Sequence, residues 1–329
     1  METGTPSRLN FPRSHPLYGV GPRPKDADVL LLFESWPAYM PGVGSPSPDA
    51  KIAWVSADPV LSRIKTVEHR ADLWLPATAA NVAKAVYDAA TGMLDNSDLA
   101  RIAQRRERLA QRKQEMLARE AEQAIEAMKA PTPTGRLVGY ELGMLIDDDA
   151  IILNDGLSNG GFIDSYARRN KPGTYFRSGS SAGGWGVGAA FGAKLVSPDR
   201  DVIHASGDGF FSFGSPMAAL WASSFHKAPY LTIVFVNGSY STGTSGLRSA
   251  YPEGYAVQSG NFTGGSFDPA PDFAKLAEVA GGYGEYVTET AEVGPALKRG
   301  LDQVHAGVPA LVAVRVPGPL QGVEGAAAG

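Results

Sequence analysis

Short runs of apolar residues separated by amphipathic stretches recur along the chain, and from residue 136 onward they alternate regularly. Apolar runs rich in β-branched residues fall at about 150–154, 174–177, 202–206, 230–237, 284–287 and 310–316. Helical patterns lie between them, at about 136–146, 159–169, 185–196, 214–225, 271–280 and 290–305. Runs that are apolar at nearly every position suit strands covered on both faces, and their alternation with helices predicts an α/β fold built on a doubly wound, parallel, six-stranded sheet.

The pattern before residue 136 is different. Residues 1–24 are rich in Pro, Ser and Arg and read as irregular. DVLLLFES (28–35), KIAWVS (51–56) and LWLP (73–76) read as parallel strands, followed by a helix at about 78–90 with Thr78 as its cap and Val82, Val86 and Ala89 on one face. Three strands and a helix make too little sheet for a domain. Residues 95–130 are dominated by Ala, Gln, Arg and Glu, with Ile102, Leu109 and Met116 recurring every seven residues, which predicts a long charged helix with one thin apolar stripe. With acids interspersed among its bases, it reads as a solvated connector more than as a partner-binding or nucleic-acid arm. PTPTG (131–135) ends it. The expected organisation is therefore 1–94 as a partial α/β domain, 95–135 as a linker helix and 136–329 as the main domain.

Composition narrows the function classes. Thirty basic and 34 acidic side chains leave a net charge of −4, and the pI is near 5.8, which argues against nucleic-acid or anionic-membrane partners. There is no cysteine, hence no disulfide and no thiolate chemistry. No apolar signal core and no run of 18 apolar residues is present, so the expected location is cytoplasmic, without membrane association. Histidines stand at 15, 69, 204, 226 and 305, with no pair at a helical metal spacing; His204, inside a strand, reads as a satisfied core histidine.

Candidate chemistry concentrates between Gly207 and Ser239. VIHAS (202–206) runs into Gly207-Asp208-Gly209, and YLTIVFV (230–236) runs into Asn237-Gly238-Ser239. Asp208 and Asn237 thus fall at the carboxyl ends of two parallel strands, where open α/β sheets bind small ligands. Two hard oxygen donors and the Ser239 carbonyl make half an octahedral shell for Mg²⁺, with phosphate oxygens and water completing it. Asp, Asn and Gly also end strands as ordinary turn residues, and spacing alone does not separate the two readings.

These residues resemble the thiamine diphosphate fingerprint of the acetolactate synthase, 2-hydroxyacyl-CoA lyase and 2-oxo acid decarboxylase group: Gly-Asp-Gly, residues 210–236, then Asn. The first of the usual two asparagines is Val236 here; the second, Asn237, is the expected metal ligand. The resemblance runs through TYFRSGSSAGGWGVGAAFGAKLVSPDRDVIHASGDG, PDFAKLAEVAGGYG and VPALVAVRV, most of 136–317, and more loosely through HPLYGVGPRPKDADVLLLFESWPAYMPG and PDAKIAWVSADP, which look like the second half of that group's central domain.

The resemblance implies thiamine diphosphate and Mg²⁺ as cofactors. It places Asp208, Asn237 and Ser239 on the metal, and Ser158, Asn159, Ser181, Gly183, Gly184, Trp185, Gly207, Gly209 and Tyr240 with them around the cofactor. A large apolar residue usually props the cofactor into its bent shape at the position of Gly183; the departure leaves Trp185 or a partner's side chain to replace it. SGSSAGGWGVGAAFG (178–192) could also be taken for a dinucleotide loop, but a true fingerprint follows directly on a core strand and is answered by an acidic residue at the end of the next one. Ser158 reads equally as a helix N-cap. The long segment 240–267 reads as a lid over the substrate.

The implied activity is cleavage or formation of a C–C bond beside a carbonyl, on a 2-oxo acid or acyl-CoA. The group's activating glutamate belongs to a pyrimidine-binding domain that no segment here matches, so no catalytic residue of this chain is nominated. Unless the sequence is a fragment, another subunit supplies that domain and the first half of the central domain, in an α2β2 or larger hetero-oligomer, and FAD is not expected on this chain alone. A catalytically silent regulatory subunit and a nicotinamide-dependent oxidoreductase are the competing readings.

Overall fold

The computed structural model describes residues 8–21, 23–35, 45–58, 70–178, 182–267 and 269–318. The chain forms two compact units: Ser14–Arg119 with Met1–Pro6, and Glu120–Gly329 with Ser7–Arg13.

In the first unit, β1 (Val29–Phe33), β2 (Lys51–Ser56) and β3 (Leu73–Pro76) form a parallel sheet in that order. Ile52, Trp54 and Val55 of the central strand are buried, and Trp54 stacks on Trp74 with ring centroids 5.0 Å apart. Val29, Leu31 and Leu73 stay exposed. α1 (Ala79–Met93) starts on its expected cap, Thr78, whose side chain accepts the Asn81 N–H. Its expected apolar face is not buried: Val86 is 46% exposed and no residue of the helix is fully covered. α2 (Asn96–Ala127) is the long charged helix.

The second unit is the six-stranded parallel sheet, in the order β5 (Tyr175–Arg177), β4 (Ile151–Asp155), β6 (Val202–Gly207), β7 (Leu231–Val236), β9 (Ala310–Arg315), β8 (Tyr283–Val287). Alternate residues of the strands serve two cores. Ile152, Ile203, Ile233 and Val312 pack under α3 (Gly135–Leu145) and α11 (Val293–His305). Leu153, Val202, Val234 and Leu311 pack under α5 (Trp185–Val196), α7 (Pro216–Phe225) and α10 (Ala274–Val279). Helices on both faces explain why the strands read as unbroken apolar runs.

Strand order fixes the position of the site. The chain leaves β4 through α4 (Gly160–Tyr166) toward β5 on one side, and leaves β6 toward β7 on the other. β4 and β6 are neighbours, with Asp155 opposite Ser206, so their carboxyl ends open a crevice at the switch point. β6 and β7 are joined by two helices, α6 (Asp208–Phe213) and α7, where one was expected. Ser215 takes a left-handed conformation (φ 52°) between them and Pro216 starts α7.

Segment 240–267, read from sequence as one irregular lid, contains α8 (Ser241–Ala250) and α9 (Tyr255–Ser259). Its ends are pinned at the base: Tyr240 donates to the Gly265 carbonyl (2.9 Å) and Phe267 to that of Gly238 (2.8 Å).

Candidate active site

The two strand ends carry an Asp-Gly each: Asp155-Gly156 after β4 and Asp208-Gly209 after β6. Asp208 is 1% exposed. Its Oδ2 accepts the backbone N–H groups of Asn237 (2.8 Å) and Gly238 (2.7 Å), and its Oδ1 accepts that of Gly209 (2.8 Å). The carboxylate therefore ties the end of β6 to the turn that leaves β7. Burial pushes its pKa up, against the pull of these three N–H groups.

Asn237 Oδ1 points into the same turn, where it accepts the Ser239 N–H (2.9 Å) and the Ser239 hydroxyl (3.2 Å). That hydroxyl is also 2.9 Å from Ser241 Oγ. The described residues contain no group of three His, Cys, Asp or Glu side chains able to hold a metal. The oxygen set at this turn fits a hard divalent cation all the same: a carboxylate offers about four lone-pair directions, of which N–H donors take three at Asp208. Rotation of the Ser239 hydroxyl toward Ser241 would leave Asn237 Oδ1 with one bond, from the Ser239 N–H, and one lone pair free. A buried carboxylate and an adjacent amide oxygen match Mg²⁺ chemistry.

Gly207 and Gly209 play different parts. A Cβ at Gly207 would meet nothing within 4 Å, whereas one at Gly209 would lie 2.9 Å from Tyr240 Cε1. Tyr240 thus roofs the Asp208 turn, with its ring stacked on Phe213 (centroids 5.8 Å apart, 8° between planes) and leaning on Phe267 (5.0 Å).

The glycine turn before α5 is held by a residue the sequence reading missed. Asp155 Oδ2 accepts the N–H groups of Gly184 (2.8 Å) and Gly186 (3.2 Å), and burial pushes the Asp155 carboxyl up to about 6. Asp155 Oδ1 and the neighbouring indole Nε1 of Trp185 are both buried without a well-formed hydrogen bond. The signal was present: Asn154-Asp155-Gly156 ends a core strand just as Gly207-Asp208-Gly209 does. Gly184 has φ 94° and sits against the Gly214 backbone, so glycine is required there.

Gly183 has no positive φ. A Cβ on it would fall within the ring of Phe210, closer than real Cβ contacts allow. The space beside Gly183 is thus filled by Phe210 of α6. Trp185, expected from sequence as a candidate for that space, instead lines a cavity of about 360 Å³ with Ile151, Leu153 and Phe176.

The turn after β4 is built by Asn154, whose Nδ2 donates to the Gly160 carbonyl (2.8 Å) and the Tyr175 hydroxyl (2.9 Å) and whose Oδ1 accepts the Gly156 N–H (3.1 Å). On that turn Ser158 is exposed, and its hydroxyl makes no hydrogen bond among the described residues. Asn159 lays its side chain against Gly135 and makes no cap bond. Ser181 lies outside the described residues. His204 is in the core as expected, but both ring nitrogens lack a hydrogen-bond partner among the described residues, and burial pushes its pKa down to about 3.

Residues 158–314 match the family described as thiamine pyrophosphate enzyme, C-terminal TPP binding domain. That stretch of the chain is thus the C-terminal TPP-binding domain of the thiamine pyrophosphate enzymes. It is similar to a probable acetolactate synthase of Mycobacterium bovis, 31% identical over 207 residues, which is 61% of this chain and 34% of that protein. It is also similar to the benzoylformate decarboxylase of Pseudomonas aeruginosa, 34% identical over 92 residues, 28% of this chain and 17% of that one. Among solved structures, a thiamine diphosphate-dependent 4-hydroxybenzoylformate decarboxylase of Rhodococcus jostii shares the fold, with a TM-score of 0.68 at 22% identity, over 97% of this chain and 56% of that one. The chain spans about a third of the length of the acetolactate synthase relative and just over half of that solved chain. Its second unit has the α/β fold of that TPP-binding domain, which supports thiamine diphosphate as the cofactor. Among the described residues no helix is long and apolar enough to cross a membrane.

Proposed function

We propose that this thiamine pyrophosphate enzyme chain supplies the Mg²⁺–diphosphate half of a site that cleaves or forms a C–C bond next to a carbonyl, acting on a 2-oxo acid or acyl-CoA as lyase, decarboxylase or carboligase. The observation that carries the reading is Asp208, a buried carboxylate held by three N–H groups at the switch-point crevice beside Asn237 Oδ1. Asp208, Asn237 and the Ser239 carbonyl hold Mg²⁺. By the resemblance, Ser158, Asn159 and Ser181 are the residues assigned to the diphosphate, where small groups at helix starts suit an anion. When bound, thiamine diphosphate supplies the nucleophile and the electron sink. Tyr240 packs over the Asp208 turn at Gly209, and segment 240–267 acts as the lid.

In this reading residues 136–329 are the diphosphate domain, 95–135 a linker helix and 1–94 the second half of a central domain. The pyrimidine-binding domain, with its activating glutamate, comes from a second subunit in a hetero-oligomer. A silent regulatory role is disfavoured by the intact oxygen donors at 208 and 237. Calorimetry with thiamine diphosphate and Mg²⁺, set against NAD, tests the reading. The chain alone is expected to bind the former weakly and to cleave no C–C bond, and to gain both properties when a polypeptide carrying the pyrimidine-binding domain is added. Binding of NAD instead, or turnover by the sequence-verified chain alone, refutes it.

A further inference from the structure

We propose that Phe210 is the positioning residue that sets the angle between the two rings of the cofactor, a task that Gly183 leaves vacant. The proposal rests on the thiamine diphosphate reading of the site. Thiamine diphosphate carries two rings joined by one methylene, so anchoring the diphosphate leaves two torsions free, and an apolar side chain lodged between the rings selects one arrangement.

Three observations single out Phe210. It follows Asp208 by two residues and lies against the glycine turn that Asp155 fixes, between the two turns that border the crevice. Its ring is half-buried, in contrast to the next residue, Phe211, which is fully covered in the core. The backbone at Gly183 has no positive φ, and the three atoms nearest to a Cβ built there all belong to the Phe210 ring. Glycine at 183 and phenylalanine at 210 therefore form one unit, in which the apolar bulk of this corner comes from α6 rather than from the turn before α5. The ring is also anchored sideways, its centroid 6.5 Å from that of Phe213, which stacks on Tyr240.

The test compares two ligands by calorimetry on the full-length chain, each with Mg²⁺: thiamine diphosphate, which has rings, and inorganic pyrophosphate, which has none. Phe210→Ala should weaken thiamine diphosphate by about tenfold or more, as loss of one aromatic contact does, and leave pyrophosphate within about twofold. Adding Gly183→Leu in the Phe210→Ala background should restore thiamine diphosphate affinity, because the space is then free for a side chain from the other turn. Phe210→Leu, which keeps apolar bulk, should retain most of the affinity and serves if the alanine variant does not fold. Equal losses for both ligands, no loss for either, or failure of the second-site leucine to restore binding would overturn the proposal. A wild-type chain that binds pyrophosphate but not thiamine diphosphate, even with the polypeptide carrying the pyrimidine-binding domain added, would instead sink the cofactor reading itself.

Discussion

Asp155 Oδ2 accepts the backbone N–H of Gly184 at 2.8 Å, and this bond ties the end of β4 to the turn that opens α5. Its cost is a buried charge: the carboxyl is pushed from an ordinary 3.8 up to about 6. Between those values the unfolded chain releases a proton that the folded one keeps, so this group lowers stability progressively as pH rises from about 4 to about 6. Asp155→Asn retains an acceptor oxygen for Gly184 without the charge. Melting temperatures measured across that range should show the variant gaining on the wild type as pH rises, and a pH-independent difference would refute the assignment.

His204 should act with the opposite sign. Its folded-state pKa, near 3, lies below the ordinary 6.5, so from about pH 6.5 downward the unfolded chain takes up a proton that the core refuses. Stability from this residue is complete above pH 6.5 and drains away toward pH 3. His204→Leu removes two unpaired ring nitrogens and should raise stability at neutral pH by roughly 1 kcal/mol, while flattening the acid limb of the curve. Chemical denaturation at several pH values measures both effects.

Asp208→Ala should abolish Mg²⁺-dependent thiamine diphosphate binding. It should also destabilise the fold by on the order of 3 kcal/mol or more, since the backbone N–H groups of Gly209, Asn237 and Gly238 lose their acceptor. Asn237→Ala removes a neutral donor and should weaken binding less. Calorimetry giving unchanged affinity in Asp208→Ala would disprove the metal assignment.

On the turn after β4, fold and binding should separate by residue. Asn154→Ala loses three hydrogen bonds from a buried side chain and should cost about 2–4 kcal/mol. Ser158→Ala touches an exposed hydroxyl and should stay within about 0.5 kcal/mol in stability, while lowering affinity for pyrophosphate as well as for thiamine diphosphate. A Ser158→Ala variant that binds both ligands normally would remove Ser158 from the site.

Much of this architecture was legible in the sequence. The six strands fall within one or two residues of their expected limits, the four central ones because they are buried on both faces, and α5 and its glycine turn were legible because helical periodicity and turn chemistry are local. Asp208 and Asn237 stood out for a similar reason: each ends a strand beside a glycine. Other readings shifted where local rules lost to neighbours. The apolar face of α1 stays uncovered, and segment 240–267, sparse in apolar residues, forms two helices on a base pinned by Tyr240 and Phe267.

The chain by itself therefore determined which segments are strands, that they lie parallel between helices, and which oxygen donors end them, since all of these follow from periodicity and from residue chemistry over a few positions. Tertiary structure alone decided the strand order that seats β4 beside β6, and with it the meeting of Asp155 with Gly184, of Phe210 with Gly183 and of Tyr240 with Gly209. Those contacts join residues 27 to 31 positions apart. Burial patterns report only that a side chain is covered; which side chain covers it depends on the order in which strands pair and on the angle at which each turn leaves the sheet.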